Sequence, residues 1–439
     1  MTFRTVVFWC HLVAGMISGL SIGIMCFTGT VLAFEKELIA WSERDARRIE
    51  APAPGAARLT LEQMQAKVRE AFPDVRPSGI VLQKDPRAAV AFSTGRSGGI
   101  YVNPFTGEAR QPKSTAMSGF MHTVTDLHRT LGLHGEQSRP VGKLINGVCN
   151  LAFCMLALTG LYLWIPRVWS WRTVRPVLWF RSGLAGKARD FNWHNAIGLW
   201  TAPVLIVLTL TAIPISFRWG GTLIYKLTGT EPPTAGAGPG GPGGPSVMVP
   251  TPPAGARPLA QDALFAAAQQ AVPNWTTLTL RTGAPAGRGG PDGPAARGAP
   301  PGERRPPGAV PAAEAPSAGS PARREGGRGE RRPGATGSAP QAVSFTIREA
   351  GSWPRTASIT LTLDPFTGAV LQRSGYSDLP AAQQVRAWTR FLHTGEAVGP
   401  MGQLVAGIAC LGGVVLVWTG FALSWRRFFG RSSKAETSP

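Results

Sequence analysis

Histidines are the side chains of this 439-residue chain whose type and placement could do chemistry, and there are six of them. His11 and His194 stand at the start of uncharged apolar stretches, and His128 and His393 come shortly before two others. An ionisable residue in or beside a membrane span is costly, and by default it indicates a function. A neutral imidazole nitrogen is a good axial ligand for haem iron. The pattern therefore predicts histidines that bind a metal cofactor.

The elements that would position these histidines are four apolar stretches, each long enough to cross a bilayer, which takes about 20 residues. They cover residues 5–34, 144–165, 192–217 and 401–425. Only 16% of the residues are charged, against about 25% in a typical soluble protein. The first stretch is too long for a secretory signal, so we interpret it as a retained span. The composition predicts a membrane α-helical protein with four transmembrane helices.

Basic residues predict the orientation of the spans, because short cytoplasmic loops carry an excess of Lys and Arg. The loop over residues 166–190 is rich in basic residues and has a single acidic one, and the tail over 426–439 is also basic. Both termini are therefore predicted on the cytoplasmic side of a bacterial inner membrane, with residues 35–143 and 218–400 in the periplasm. The net charge of +20 does not indicate a nucleic-acid partner, because no nucleic-acid motif is present. The predicted contact of the basic loop is the lipid bilayer.

The two outer segments repeat one pattern. Residues 59–75 and 259–275 each have the periodicity of an amphipathic helix that ends at a proline. NPFTG at 103–107 matches DPFTG at 364–368, and each follows a strand-like stretch and predicts a tight turn between two strands. Each outer segment is therefore predicted to be a small α+β module, and the chain an internal duplication of span, module and span.

The repeat extends to the histidines. The separation in sequence from His11 to Thr28 equals that from His194 to Thr211. In the predicted orientation His11 and His194 share the cytoplasmic depth, while His128 and His393 share the periplasmic depth. Two histidines from separate helices at one depth can hold one haem. The sequence therefore predicts two haems and a route for electrons across the membrane.

Other assignments of the histidines are weaker. His122 and His134 are less favoured candidates, and either could replace His128 as the periplasmic ligand. No Cys or carboxylate has the spacing of a closed zinc site. The apolar spans contain no Asp or Glu of the kind that a proton relay uses. All five cysteines lie in or at the edge of the spans, so we interpret them as structural thiols without a disulfide framework.

The sequence contains none of the common motifs of soluble nucleotide-binding proteins, metalloproteases or hydrolases. It has no P-loop, no HExxH and no nucleophile elbow. A nicotinamide or flavin domain is missing too, so electrons would come from a membrane quinol or a separate cytoplasmic reductase.

A low-complexity insertion interrupts the second module. Nearly half of the positions in 283–340 are Gly or Pro, and none is aromatic. Such a segment cannot bury enough apolar surface to fold, so it is predicted to be a disordered insertion in a hairpin loop. The predicted organisation is a first span (1–34), a first module (35–116), a periplasmic helix extension with the second span (117–165), a basic loop (166–190), a third span (191–217), a second module (218–385), a fourth span (386–425) and a tail (426–439).

Taken together, these features resemble the PepSY-associated transmembrane helix family. The resemblance rests on HLVAGMISGLSIGIMCFTGTVLAF, the NPFTG and DPFTG turns, LHRTLGLHG with TGLYLW, WHNAIGLW, and LHTGEAVGPMGQLVAGIACLGG. It covers nearly the whole chain except the insertion and the tail. The best understood members resemble iron-regulated ferric-siderophore reductases of the inner membrane, with two b-type haems on four spans. The resemblance implies PepSY-like outer modules and the haem ligands His11, His128, His194 and His393.

The function implied by this resemblance is that of a di-haem oxidoreductase. It would pass electrons across the inner membrane and reduce a periplasmic ferric siderophore, for iron release or uptake. Reduction of a tightly chelated Fe(III) weakens its binding to hard oxygen ligands, so no acid, base or nucleophile is required of the protein. Two alternatives stay open. One is a haem-free PepSY protein that regulates or inhibits a periplasmic peptidase, and the other is a haem electron conduit to another acceptor.

Overall fold

The computed structural model describes residues 1–50, 54–94, 98–166, 168–232, 247–253, 255–281 and 341–429. The predicted insertion 283–340 lies outside the described residues, as do residues 430–439 of the predicted tail. The helices within the described residues are α1 (Phe3–Leu32), α2 (Glu35–Ser42), α3 (Arg44–Arg47), α4 (Leu61–Ala71), α5 (Ala116–Thr130), α6 (Ser138–Trp164), α7 (Trp171–Leu178), α8 (Gly186–Ser216), α9 (Arg218–Leu227), α10 (Gln261–Ala271), α11 (Ala381–His393) and α12 (Pro400–Phe429).

Four of these helices, α1, α6, α8 and α12, are long and apolar enough to cross a membrane. This agrees with the prediction of a multi-pass membrane protein. The helices are 27 to 31 residues long, whereas about 20 residues cross the hydrocarbon. The difference arises because the backbone hydrogen bonds continue into polar residues at the ends. As a result, α6 begins at Ser138 and α8 at Gly186, ahead of the apolar stretches 144–165 and 192–217.

The four long helices form a bundle in which α1 and α8 each pack against both α6 and α12. Two adjacent glycines let α12 approach its neighbours closely. A Cβ atom at Gly412 would lie 2.5 Å from Cγ2 of Thr201 in α8, and one at Gly413 would lie 2.5 Å from Sγ of Cys26 in α1. Both contacts are too short for any other residue unless these side chains or the helices shift. Small residues of this kind are typical of helix packing in membranes.

The prediction for residues 117–165 differs from the structure at one point. The sequence indicates a helix extension leading into the second span, but α5 and α6 are separate helices. Leu131 adopts a left-handed conformation with φ 54°, and Gly132 follows with φ 76°. The chain therefore turns back after α5. As a result, α5 packs against α1 and α6 and does not form a continuous helix with α6.

The outer segments contribute one antiparallel sheet of eight strands. These are β1 (Gly79–Gln83), β2 (Val90–Ser93), β3 (Gly99–Val102), β4 (Ala109–Arg110), β5 (Trp275–Arg281), β6 (Val343–Glu349), β7 (Ile359–Leu363) and β8 (Val370–Ser374). Their order is β4-β3-β2-β1-β5-β6-β7-β8, which is symmetric about its centre. The sequence predicts two separate modules, but pairing of β1 with β5, from Gly79–Arg281 to Gln83–Thr277, joins their strands into one sheet. The pairing satisfies backbone groups that two isolated edge strands would leave open.

The predicted helices and turns of the outer segments are confirmed. Helices α4 and α10 lie within the predicted segments 59–75 and 259–275 and pack on the same sheet. The turns joining β3 to β4 and β7 to β8 place Gly107 and Gly368 at φ 77° and 72°, as a tight turn requires. Strands β5 and β6, which lie on either side of residues 283–340 in the chain, pair antiparallel.

Candidate functional site

Four of the six histidines come together as two pairs of imidazole rings. The ring centres of His11 in α1 and His194 in α8 are 6.5 Å apart, and the planes meet at 85°. Those of His128 in α5 and His393 in α11 are 6.3 Å apart, with planes at 51°. Each pair therefore joins the first half of the chain to the second.

The two pairs lie at opposite ends of the bundle. Nδ1 of His128 is 2.9 Å from the hydroxyl of Thr28, which lies near the end of α1, whereas His11 lies near its beginning. At a rise of about 1.5 Å per residue, the helix from His11 to Thr28 spans about 25 Å. In the chain, the strands of each half come after the end of α1 or of α8. The sheet therefore lies towards the end of the bundle that holds the pair His128–His393.

His128 and His393 reach the bundle because the chain reverses just after each of them. His128 is in the last turn of α5, and the side-chain amide of Asn146 in α6 donates a hydrogen bond to its carbonyl at 2.9 Å. His393 ends α11 and is followed by Gly395 at φ 71°. In each case a glycine of the returning helix packs on a carbonyl of the reversal, Gly142 on Thr130 and Gly402 on Gly395. Both short helices are thereby held against the spans.

Each of the four rings has a defined partner at Nδ1. The distances to the hydroxyl oxygens are 2.9 Å for His11–Thr159, 2.9 Å for His194–Thr419 and 2.9 Å for His128–Thr28. Nδ1 of His393 lies 3.0 Å from the carbonyl oxygen of Leu208 and 3.5 Å from the hydroxyl of Thr211. The sequence analysis uses the threonines only to define the repeat and does not assign them to the site. The sequence signal that could have identified them is the equal spacing from His11 to Thr28 and from His194 to Thr211.

The spacing of the rings suits an iron held between two imidazoles. Metal–nitrogen bonds of about 2 Å put the two nitrogens about 4 Å apart, and adding the distance to each ring centre gives a separation of about 6 to 6.5 Å. Both observed separations agree with this value. Burial lowers the pKa of His128 and of His393, so these rings are held in the neutral form that binds metals.

Two mostly apolar clefts lie near the ends of the bundle that hold the ring pairs, and none of the four paired histidines lines either of them. A cleft of about 320 Å³ beside His393 is lined by apolar side chains that include Val207, Leu208, Leu392 and Val405. A second cleft of about 380 Å³ lies between α1 and α12 at the end that holds His11, and its walls include Met16, Trp418, Phe421 and Trp425. Among the described residues no group of three or more His, Cys, Asp or Glu is placed to bind a metal ion.

His122 and His134 lie in a different environment. Their Nδ1 atoms are 3.2 Å and 3.4 Å from the same carboxylate oxygen of Asp126, and both side chains are largely exposed. The ring that faces His393 is that of His128.

A buried ion cluster lies one helical turn before His194. Asp190 is fully buried, and its carboxylate oxygens are 2.9 Å from Arg189 and 3.0 Å from Arg426 of α12. The contact with Arg426 is an attraction of charges without a well-directed hydrogen bond. In the sequence these residues only indicate topology, because their pairing depends on the packing of α8 against α12.

The geometry can be compared with known families. The family model described as PepSY-associated TM region matches residues 8–427. The chain belongs to this family. The match confirms the resemblance, and it includes the four paired histidines and both Gly-containing turns of this PepSY-associated chain. No curated protein matches the chain.

Proposed function

We propose that the protein is a di-haem oxidoreductase that carries electrons across the bacterial inner membrane and reduces a periplasmic ferric siderophore. The observation that carries the proposal is the two pairs of imidazole rings, with centres 6.5 Å and 6.3 Å apart, at opposite ends of one bundle. His11 and His194 would hold one haem b, and His128 and His393 the other. When bound, haem supplies one-electron redox chemistry.

The chain itself would bind the two haems, orient the imidazole rings and exclude water. The ligand pairs lie on α1 and α8 at one end and on α5 and α11 at the other, so each site is completed only when the two halves pack together. Their Nδ1 partners hold the ring planes, and the apolar side chains of the bundle keep water away. The acceptor takes one electron, which converts Fe(III) of the chelate to Fe(II). The protein needs no acid, base or nucleophile for this step.

The proposed direction has the donor at the cytoplasmic end and the acceptor at the sheet. Lys187, Arg189, Arg426 and Arg427 gather at the end that holds His11 and His194, which favours a cytoplasmic location of that end. A membrane quinol or a cytoplasmic reductase would deliver electrons there. The ferric siderophore would approach from the sheet, towards the pair His128–His393.

We also propose that the outer segments are PepSY-like modules that arose by internal duplication. Three observations support this: the symmetric strand order, the paired turns at Gly107 and Gly368, and the equivalent His–Thr contacts of the two halves.

The first test is a visible spectrum of the detergent-purified protein from a haem-replete host, oxidised and then reduced with dithionite. We expect sharp b-type bands and about two haems per chain. A colourless protein would overturn the proposal, and co-purification of a protease would then support the regulatory alternative. Oxidation of the reduced protein by ferric siderophores, measured against other oxidants, separates siderophore reduction from a conduit to another acceptor.

Substitution of the histidines tests the assignment. We expect His→Ala at 11, 194, 128 or 393 to remove about one haem per chain, because an axial ligand is lost. His122→Ala and His134→Ala are matched controls that keep both haems, since these rings contact Asp126. Full haem content in all four ligand variants would show that the assignment is wrong.

A further inference from the structure

We propose that Thr159, Thr419 and Thr28 are positioning residues for the haem ligands. In this inference each threonine hydroxyl accepts a hydrogen bond from Nδ1 of its histidine and holds the imidazole in the tautomer whose Nε2 is free to bind iron. The inference rests on the proposed haem binding and assigns to these threonines a role in it.

The tautomer follows from counting hydrogens. A threonine hydroxyl has one hydrogen to donate and two lone pairs. Each of these hydroxyls donates to a carbonyl of the preceding turn of its own helix: Thr159 to Met155 at 2.7 Å, Thr419 to Val415 at 2.8 Å and Thr28 to Ile24 at 2.6 Å. With that hydrogen in use, the oxygen can only accept from the imidazole. Nδ1 therefore carries the hydrogen, and Nε2 of the neutral ring has the lone pair.

The fourth histidine reaches the same tautomer by another acceptor. Nδ1 of His393 is 3.0 Å from the carbonyl oxygen of Leu208, and a carbonyl can only accept. The Thr211 hydroxyl is more distant at 3.5 Å and donates to Val207 at 2.7 Å. All four paired rings thus carry a hydrogen on Nδ1 and an open lone pair on Nε2. A histidine pair formed only for packing does not require this uniformity.

A glycine follows the threonine at three of the four positions. A Cβ atom at Gly160, Gly420 or Gly29 would lie 3.4 to 3.6 Å from Cε1 of the adjacent histidine. The ring edge therefore lies directly against the backbone beside the threonine. At the fourth position Ala212 follows Thr211, and there the ring donates to Leu208 instead. The Thr-Gly dipeptide is thus part of the seat of the ring.

The hydrogen bond has an electronic consequence for a bound haem. Donation from Nδ1 to a fixed acceptor raises the basicity of the ligating nitrogen and fixes the orientation of the ring. A more basic ligand stabilises the oxidised iron and lowers its midpoint potential. Threonine to valine keeps the shape and removes the hydroxyl acceptor, whereas the ring of His128 also has the backbone of Met25 as a hydrogen-bond partner and that of His194 has the backbone of Leu416. We therefore expect Thr159→Val to raise the midpoint potential of one haem and to weaken retention of that haem by about tenfold.

The experiment is a redox titration and a low-temperature EPR spectrum of the full-length protein in detergent. The set comprises wild type, Thr159→Val, Thr159→Ser and Thr28→Val. The matched control is Thr201→Val, which removes a buried hydroxyl that donates to Ile197 of its own helix at 2.8 Å. We expect Thr159→Val and Thr28→Val each to shift a different one of the two midpoint potentials upwards, with a changed EPR signal for that haem. The shift should be smaller in Thr28→Val, because the ring of His128 keeps the backbone of Met25 as a partner.

The outcomes separate this inference from the proposed function. Thr159→Ser restoring the wild-type potential, with Thr201→Val unchanged, supports the positioning role even if Thr159→Val loses about one haem per chain. Unchanged potentials and EPR signals in both valine variants would overturn it, as would Thr159→Ser behaving like Thr159→Val. If wild type itself bound no haem, the proposed function would fail, and this inference with it.

Discussion

At the scale of single residues, the candidate site divides into a part that the sequence predicts and a part that it does not. Four histidines beside apolar stretches are visible in the sequence, and equal spacing to Thr28 and Thr211 indicates which of them share a depth. The identity of the group at each Nδ1 is not visible, because Thr159 and His11 are 148 residues apart in the chain and meet only through helix packing. The same is true of Asp190 and Arg426.

The Asp190 cluster supports a prediction about stability. Asp190→Asn would leave Arg189 and Arg426 without their shared counter-charge inside the bundle. Removing one partner of a fully buried ion pair costs about 3–5 kcal/mol. The two guanidiniums are about a third exposed, so solvent screening reduces the expected cost to about 2 kcal/mol. Thermal unfolding of the purified protein measures this.

The control for Asp190→Asn is Glu70→Gln, which breaks an ion pair with Lys67 whose two side chains are well exposed. We expect little change in the control, since exposed ion pairs add little stability. Equal unfolding temperatures for both variants and wild type would show that the buried cluster does not stabilise the bundle.

At the scale of elements, patterns that are local in sequence are predictable and contacts between distant segments are not. Apolar periodicity over a few turns locates α4 and α10, and the NPFTG and DPFTG signals locate both turns. The left-handed Leu131 that separates α5 from α6 has no such signal, because leucine rarely adopts this conformation. The packing of α12 is also non-local, since Gly412 and Gly413 face two different helices.

The close approach of α12 to α1 predicts the effect of a single methyl group. Gly413→Ala would place a Cβ atom 2.5 Å from Sγ of Cys26, so the Cys26 side chain or the helix backbones must shift. Overpacking of this kind costs about 1–3 kcal/mol, and thermal unfolding should occur at a lower temperature. Gly119→Ala in α5 is the matched control, because no heavy atom lies within 4 Å of its added Cβ. An unchanged unfolding temperature for Gly413→Ala would argue against this packing.

At the scale of the whole molecule, the sheet is fixed to the helices through Glu43. Its carboxylate accepts hydrogen bonds from Tyr101 of β3 at 3.1 Å, from Ser118 of α5 at 3.0 Å and from Arg47 at 2.7 Å. Glu43 is buried, so these three groups replace its water. One carboxylate thereby links α3, the sheet and the helix that carries His128. The joined sheet cannot be predicted from the sequence, because Gly79 and its partner Arg281 lie in different outer segments. The Glu43 link cannot be predicted either, because Glu43 is 58 residues from Tyr101 and 75 from Ser118 in the chain.

The link predicts a change in stability at high pH. Burial raises the pKa of Tyr101 to about 12, whereas the phenol of an unfolded chain has a pKa of about 10. As the pH rises from about 10 to 12 the unfolded state loses its proton first, so the stability of the folded state falls. Tyr101→Phe should reduce this fall and, below pH 10, should cost about 1–2 kcal/mol through loss of the hydrogen bond to Glu43.

Denaturant unfolding of the full-length protein at a series of pH values between 8 and about 12 tests this expectation. Tyr376→Phe, at a short turn outside the cluster, is the matched control for loss of a phenol hydroxyl. The same slope in Tyr101→Phe as in wild type would show that this phenol does not govern the high-pH loss of stability.

The pairing of β1 with β5 has a mechanical meaning when it is considered together with Asp190. The sheet connects the two halves of the chain beyond one end of the bundle, and the Asp190–Arg426 contact connects α8 to α12 at the other. Contacts between distant segments are thus present at both ends of the bundle. Each ring pair lies between these two contacts, so we expect the separation of its rings to depend on the contacts at both ends of the bundle.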